Sequence, residues 1–171
     1  MDFPNDRSSY YPAFPCLSLV IQSLGATSEH GNYTTMISTS DLAGNFASAT
    51  INYSVNYNFG GFQPPVKADG SGIYNLGRTL PIKFQHTDAN GSAITSAVDQ
   101  LVVTNVENGI VGTTPVDLAT STNDTSDLFR YDDTANQYIY NFDTGQLTAG
   151  TWQIKVVLDD GSGYTVLISL R

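Results

Sequence analysis

The stretch RTLPIKFQHTDANG, residues 78–91, decides the fold of this chain. Its first half alternates apolar with polar residues, the period-two pattern of a half-buried β-strand, with Leu80, Ile82 and Phe84 on the apolar side. Pro81 has no amide to donate to a neighbouring strand, which predicts an edge position for this strand. Residues 87–91 then break the pattern with Thr, Asp, Ala, Asn and Gly, a combination that favours a turn.

The composition of the whole chain fits many short strands joined by turns. The 171 residues are long enough to bury a core, yet only 13% of them are charged. The net charge is −9, and 14 Asp but only two Glu supply the acidic side chains. Such a surface excludes nucleic acid as a partner, because phosphate binding needs clustered Lys and Arg, and it excludes a basic membrane-binding patch.

Cysteine content and hydropathy limit the setting of the protein. Cys16 is the single cysteine, so neither an intramolecular disulfide nor a cysteine-ligated metal is expected. The longest apolar run, around residues 16–21, is too short to cross a bilayer, and insertion into a membrane is not expected. Residues 1–7 carry more acid than base, unlike a signal peptide, so any export signal is expected outside this chain.

Strand and turn patterns extend through most of the sequence, and no stretch has a helical period. The clearest hairpins are predicted over residues 31–57, 128–142 and 150–170, each with alternating apolar residues on both sides of a Gly-, Asn- or Asp-containing turn. Further strands are predicted at 16–24, 71–76, 98–106 and 117–122. The fold class is therefore all-β, an antiparallel sandwich of immunoglobulin type.

Two of these hairpins resemble each other, which suggests how the chain divides. Gly31-x-Tyr33 and Gly150-x-Trp152 each open a strand that a turn and a return strand follow, like the closing hairpin of an immunoglobulin-like sandwich. The expected organisation is an irregular arm with a partial immunoglobulin-like hairpin at 1–57, a linker at the Gly- and Pro-rich 58–65, and a sandwich at 66–171. In the alternative, the first hairpin packs onto the second domain.

The residues quoted above also carry a family resemblance. Residues 62–171 resemble the Pro-x-Lys-Phe domain of bacterial secreted and surface proteins, with the motif at Pro81, Lys83 and Phe84. Residues 41–57 resemble the end of the tandem immunoglobulin-like domains that often precede it. The resemblance implies an extracellular or cell-surface setting and no established reaction. His86 departs from it, because an apolar residue is expected there; it is predicted to be a satisfied histidine at the core edge, or to follow the point where the strand leaves the core.

No motif in the sequence predicts catalysis. The two histidines, His30 and His86, stand in a loop and at a strand end, and neither belongs to a nucleophile or metal motif. The adjacent acids Asp132 and Asp133 fall in a turn, where aspartates usually hold backbone amides. The chain is therefore expected not to be an enzyme.

Calcium is the one cofactor that the sequence brings into consideration. The candidate ligands are oxygen-bearing residues in Gly-containing turns: Asp41 to Asn45, Asp88 with Asn90, and Asp159 with Asp160. None has EF-hand spacing. The alternative is that these side chains only stabilise their own turns.

Binding of sugar is a third hypothesis, prompted by aromatic residues such as Trp152, Tyr138 and Tyr140. Because they fall in alternating strands, core packing is the competing interpretation.

Two functions from different classes follow from this sequence. The first is a non-catalytic extracellular module, a spacer, cap or adhesion element of a larger secreted protein. The second is an accessory domain that binds carbohydrate or calcium for a secreted enzyme. Expected partners are neighbouring domains of the same polypeptide and further copies of the chain, which would associate through exposed edge strands.

Overall fold

The computed structural model describes residues 18–20, 30–41, 43–118 and 127–171. No α-helix occurs among them, and a single 3-10 turn spans Thr144–Gln146. The strands in chain order are β1 (Ser18–Val20), β2 (Gly31–Ser40), β3 (Phe46–Val55), β4 (Asn58–Gln63), β5 (Gly72–Tyr74), β6 (Thr79–Thr87), β7 (Gln100–Glu107), β8 (Ile110–Val111), β9 (Arg130–Asp132), β10 (Gln137–Asp143), β11 (Gly150–Val157) and β12 (Gly163–Leu170).

The chain divides into two compact units. Unit 1 comprises Met1–Ala26 and Asn32–Tyr53, and unit 2 comprises Thr27–Gly31 and Ser54–Arg171. Unit 1 contains a three-stranded sheet in the order β1-β2-β3. The hairpin predicted between residues 31 and 57 is therefore confirmed, and its turn is closed by Asp41, whose Oδ1 accepts the amides of Ala43 and Asn45.

Unit 2 is a sandwich of two sheets. One sheet has the order β4-β6-β10-β9, and the other has the order β5-β12-β11-β7-β8. Neighbouring strands are antiparallel except β5, which runs parallel to β12. The predicted all-β fold of immunoglobulin-like type is confirmed. The parallel pairing of the edge strand β5 was not predicted, because alternation of side chains does not indicate the direction of a neighbouring strand.

The core of unit 2 follows the alternation read from the sequence. Ile82, Phe84, Ile154, Val156 and Ile168 are completely buried, and each belongs to a predicted apolar strand face. Burial of such a side chain contributes about 1.5–3 kcal/mol, so these faces supply much of the stability. The two sheets meet through aromatic contacts, for example the stacked rings of Phe59 and Tyr164, whose centroids are 4.0 Å apart.

The predicted edge position of the strand at residues 78–91 is wrong. Strand β6 lies inside its sheet, between β4 and β10. The tolerance of Pro81 has a local explanation: β10 pairs along the whole strand, with Asn141 opposite Pro81, whereas β4 pairs only from Thr87 back to Lys83. Pro81 therefore lies beyond the end of β4, where no amide is needed on that side.

The segment 58–65, expected to be a linker, instead contains strand β4, which pairs with β6. Its glycines allow an irregular pairing, because the register shifts between Phe59 and Phe62. Gly61 adopts a positive φ of 89°, and a Cβ at Gly60 would lie 3.1 Å from the backbone oxygen of Gln85. The glycines thus mark a bulge and a close backbone approach within a strand.

Three other predictions concern short or terminal segments. The strand expected at 71–76 is observed as β5. The one expected at 16–24 is described only as β1, and the arm expected at 1–15 lies outside the described residues. Of the strand expected at 117–122, Asp117 and Leu118 are not in a strand, and the remaining four residues lie outside the described part.

Candidate functional site

One end of the unit 2 sandwich brings six titratable side chains together. His86 lies near the end of β6, Asp99 immediately before β7, and Asp159 and Asp160 in the turn between β11 and β12. Tyr57 precedes β4, and His30 precedes β2. We call these six residues the polar cluster: His30, Tyr57, His86, Asp99, Asp159 and Asp160.

His86 is a core residue, not an exposed strand end. It continues the inward face of β6 after Phe84 and is 2% exposed. The rings of Tyr57 and Tyr138 pack against it, each with a centroid distance of 4.7 Å. Both ring nitrogens lack a hydrogen-bond partner among the described residues. The expectation of a satisfied histidine, or of a strand that has left the core, is therefore wrong.

Asp99 is the acidic neighbour of this histidine. The Oδ2 atom of Asp99 lies 3.7 Å from Nε2 of His86, and both side chains are completely buried. Burial lowers the pKa of His86 to about 4, although the charges of Asp159 and Asp160 act in the opposite direction. Burial raises the pKa of Asp99 to about 7, and the charge of Asp159 adds to that shift. Each group therefore favours its uncharged form.

The carboxylates of Asp159 and Asp160, which the sequence proposes as calcium ligands, hold backbone amides of unit 2. Oδ2 of Asp159 accepts the amide of Val98 at 3.0 Å. Oδ1 of Asp160 accepts the amide of Ser162 at 2.7 Å, and its Oδ2 accepts the amide of Tyr57 at 2.7 Å. Burial opposes ionisation of Asp160, but the hydrogen bonds from Ser162 and Tyr57 outweigh it and lower its pKa.

The other proposed calcium pair lies in a different turn. Oδ1 of Asp88 accepts the amides of Asn90 and Ser92, each at 2.8 Å. This is the geometry of an Asx-turn. No group of three or more His, Cys, Asp or Glu side chains is placed to hold a metal ion within the described ranges. The structure does not bring the two proposed pairs together, and calcium binding stays an untested hypothesis.

Tyr57, His30 and Asp159 have the residue types of a nucleophile, a base and an orienting carboxylate. The Tyr57 hydroxyl contacts Nδ1 of His30, and Nε2 of His30 lies 3.8 Å from Oδ1 of Asp159. That separation is too long for a hydrogen bond. Burial and the charge of Asp159 raise the pKa of Tyr57 far above neutrality, so its nucleophilic phenolate form is strongly disfavoured.

The aromatic residues that prompt the sugar hypothesis are part of the core. Tyr138, Tyr140 and Trp152 are 1%, 3% and 6% exposed. Trp152 also donates its indole N–H to the carbonyl of Thr148 at 3.0 Å. Their ring faces are therefore not available to a pyranose, and the competing interpretation of core packing is the correct one.

Sequence reasoning missed Asp99 and Tyr57. A signal exists for both, since Asp99 shares the inward face of Leu101 and Val103, and Tyr57 continues the alternation of Tyr53 and Val55. An acid on an apolar face calls for a buried partner. The sequence does not indicate that His86 is this partner.

Comparison with known proteins adds little. No family model matches the chain, and no match to a curated protein was found. Among solved structures, it is similar to domains 4 and 5 of the S-layer protein SbsC, at 12% identity and a TM-score of 0.36, over 88% of this chain and 81% of that chain. At this TM-score the similarity carries no argument about fold or function. The described residues contain no helix that is both long and apolar enough to cross a membrane.

Proposed function

We propose that the chain is a non-catalytic extracellular or cell-surface β-sandwich module of a larger secreted protein, in which it acts as a spacer, cap or adhesion element. The observation that carries this proposal is that the carboxylates of the polar cluster accept hydrogen bonds from backbone amides of unit 2. Asp159 and Asp160 bind the backbone amides of Val98 and Tyr57. Their interactions therefore stabilise the sandwich itself.

The position of Tyr57 gives these interactions a role suited to a module in a longer chain. The polypeptide passes from unit 1 to unit 2 between Tyr53 and Ser54, and Tyr57 is the first strongly buried residue after that point. Its amide is held by Asp160 and its hydroxyl by His30, which precedes the passage of the chain at Gly31. Hydrogen bonds within unit 2 thus hold Tyr57 and His30, which lie close to the points where the chain enters and leaves the unit. We expect such an arrangement in a spacer, whose ends are joined to other parts of the polypeptide.

The resemblance to the Pro-x-Lys-Phe domain supports the same proposal. Its motif residues have structural positions, since Phe84 is fully buried in the core and Pro81 lies beyond the end of β4. The accessory function is less well supported. The carboxylate oxygens proposed for calcium accept backbone amides, and the aromatic residues proposed for sugar are buried.

Surface labelling of the source cells tests the proposal. Antibodies against the purified chain are applied to intact and to permeabilised cells, with a cytoplasmic protein as the control for leakage. We expect labelling of intact cells, or recovery of the protein from the medium. Labelling that appears only after permeabilisation would show that the protein stays inside the cell and would refute the extracellular assignment.

A further inference from the structure

The buried pair of His86 and Asp99 has a geometry that does not suit two opposite charges. Nε2 of His86 and Oδ2 of Asp99 are 3.7 Å apart with no exposure to solvent. Both of these atoms, and also Nδ1 of His86, have no hydrogen-bond partner among the described residues. Oδ1 of Asp99 accepts one amide, from Asp159, at the long distance of 3.4 Å. An ion pair with so few hydrogen bonds does not repay the cost of removing its charges from water.

The groups that face the pair also affect how readily each of its members becomes charged. The uncharged rings of Tyr57, Phe84 and Tyr138 surround His86. Burial lowers its pKa, and the charges of Asp159 and Asp160, which favour the imidazolium, do not outweigh that effect. From the turn between β11 and β12, Asp159 and Asp160 repel a negative charge on Asp99. His30 contacts the other side of Tyr57. A proton on Asp99 removes both the cost of burying a charged carboxylate and its repulsion by Asp159 and Asp160.

We propose that folding transfers one proton from His86 to Asp99, so that the two groups form an uncharged buried pair whose total proton content does not change. In the unfolded chain at mildly acidic pH, the imidazole carries the proton and the carboxylate is ionised. In the folded protein, the imidazole is neutral and the proton is bound at Oδ2 of Asp99, facing Nε2. The proton passes through solvent while the pair is still exposed, and none is gained or lost.

The consequence is a folding stability to which the pair adds no pH dependence over a defined window. The pKa of His86 falls from 6.5 to about 4 on folding, so His86 alone makes stability rise with pH between those values. The pKa of Asp99 rises from 3.8 to about 7, so Asp99 alone makes stability fall with rising pH between those values. From about pH 4 to 6.5 the two slopes cancel.

Single substitutions in the full chain separate the two slopes. His86→Phe retains an aromatic ring, and Asp99→Asn is nearly isosteric; urea unfolding is measured for each and for the wild type at about pH 4.5, 5.5 and 6.5. Relative to the wild type, the unfolding equilibrium constant of His86→Phe should rise about tenfold per pH unit, and that of Asp99→Asn should fall about tenfold. If the ratio of the unfolding equilibrium constants of variant and wild type did not change with pH for either variant, the proposal would be overturned.

The location of the proton needs a direct measurement. A folded state in which His86 is protonated and Asp99 is ionised binds the same number of protons, so it gives the same pH dependence of stability in the wild type and in both variants. Nitrogen-15 NMR of the folded wild-type chain distinguishes a neutral imidazole from an imidazolium. The chain has two histidines, so loss of one signal in His86→Phe assigns His86, and His30 serves as the internal comparison. A neutral His86 at about pH 5.5 supports the proposal, and an imidazolium there overturns it.

Discussion

Asp160 accepts the backbone amide of Tyr57 at 2.7 Å, across 103 residues of sequence. The same carboxylate also accepts the amide and the hydroxyl of Ser162 in its own turn. One side chain therefore closes the turn between β11 and β12 and fixes the segment through which the chain enters β4.

Replacement of this carboxylate should destabilise unit 2. Asp160→Ala removes three hydrogen bonds, and we expect a loss of about 1.5–3 kcal/mol in the free energy of unfolding, because hydrogen bonds to a charged group contribute on that scale. Urea denaturation measures the change. Asp69→Ala is the matched control, since Asp69 makes the same two bonds to Ser71 in an exposed turn but, within the described part of the chain, has no long-range hydrogen bond. Equal losses in the two variants would show that the bond to Tyr57 contributes nothing.

The acid limb of the stability curve should also depend on Asp160. Its folded pKa lies below the unfolded value of 3.8, since the bonds from Ser162 and Tyr57 outweigh the effect of burial. Its ionisation therefore adds stability that is complete above that value and is lost as pH falls through the folded pKa. The stability difference between the wild type and Asp160→Asn should be constant from about pH 5 to 6 and should shrink below about pH 4. A difference that grows on acidification would contradict this assignment.

Strand faces are the part of the fold that the sequence predicts well. Leu80, Ile82 and Phe84 alternate with polar residues and are all buried, because a period of two places them on one side of any strand. The position of a strand within its sheet is a different matter. Pro81 indicates that no neighbouring strand needs an amide at this position. The sequence does not show the reason, which is that β4 pairs with β6 only as far as Lys83.

The polar cluster was predictable only in part. Asp159 and Asp160 are visible as turn residues, and their local bonds follow from turn chemistry. The meeting of His86 with Asp99 depends on how two different sheets pack over each other. Alternation along β6 places His86 inside, but it gives no information about which residue faces it from the opposite sheet.

Thr144 offers a test of how the 3-10 turn is joined to β6. It is completely buried, and its hydroxyl accepts the amide of Arg78 at 3.0 Å and donates to the Arg78 carbonyl at 2.7 Å. Thr144→Val keeps the volume but leaves both backbone groups without this partner, so we expect a loss of about 1–3 kcal/mol in thermal or urea unfolding. Thr144→Ser retains the hydroxyl and should lose less. A valine variant as stable as the wild type would show that these bonds contribute nothing.

Association between copies of the chain is expected to involve unit 1. Strand β3 is at the edge of its three-stranded sheet as far as the structure describes it, and Phe46 on that strand is 68% exposed. Unpaired edges with exposed apolar residues favour pairing between chains. Light scattering should show a mass that increases with concentration, and Phe46→Lys should reduce the increase. Leu167→Lys is the control, because Leu167 is 40% exposed but lies on β12, which is paired on both sides, between β5 and β11 of unit 2. A monomer at every concentration would contradict this prediction.

Removal of calcium is expected to leave the stability unchanged. Oδ1 of Asp88 already accepts two amides, and both oxygens of Asp160 accept bonds from protein donors, so an ion at either turn would compete with these donors for the carboxylate. Coordination by six to eight oxygens would also require ligands from beyond a single turn. Calorimetric titration of the chelated protein should give no binding heat, and its melting temperature should be the same with and without calcium. If heat is observed, the titration is repeated with Asp88→Ala and Asp160→Ala. Loss of the binding heat in either variant would contradict this prediction and would establish a calcium site in the corresponding turn.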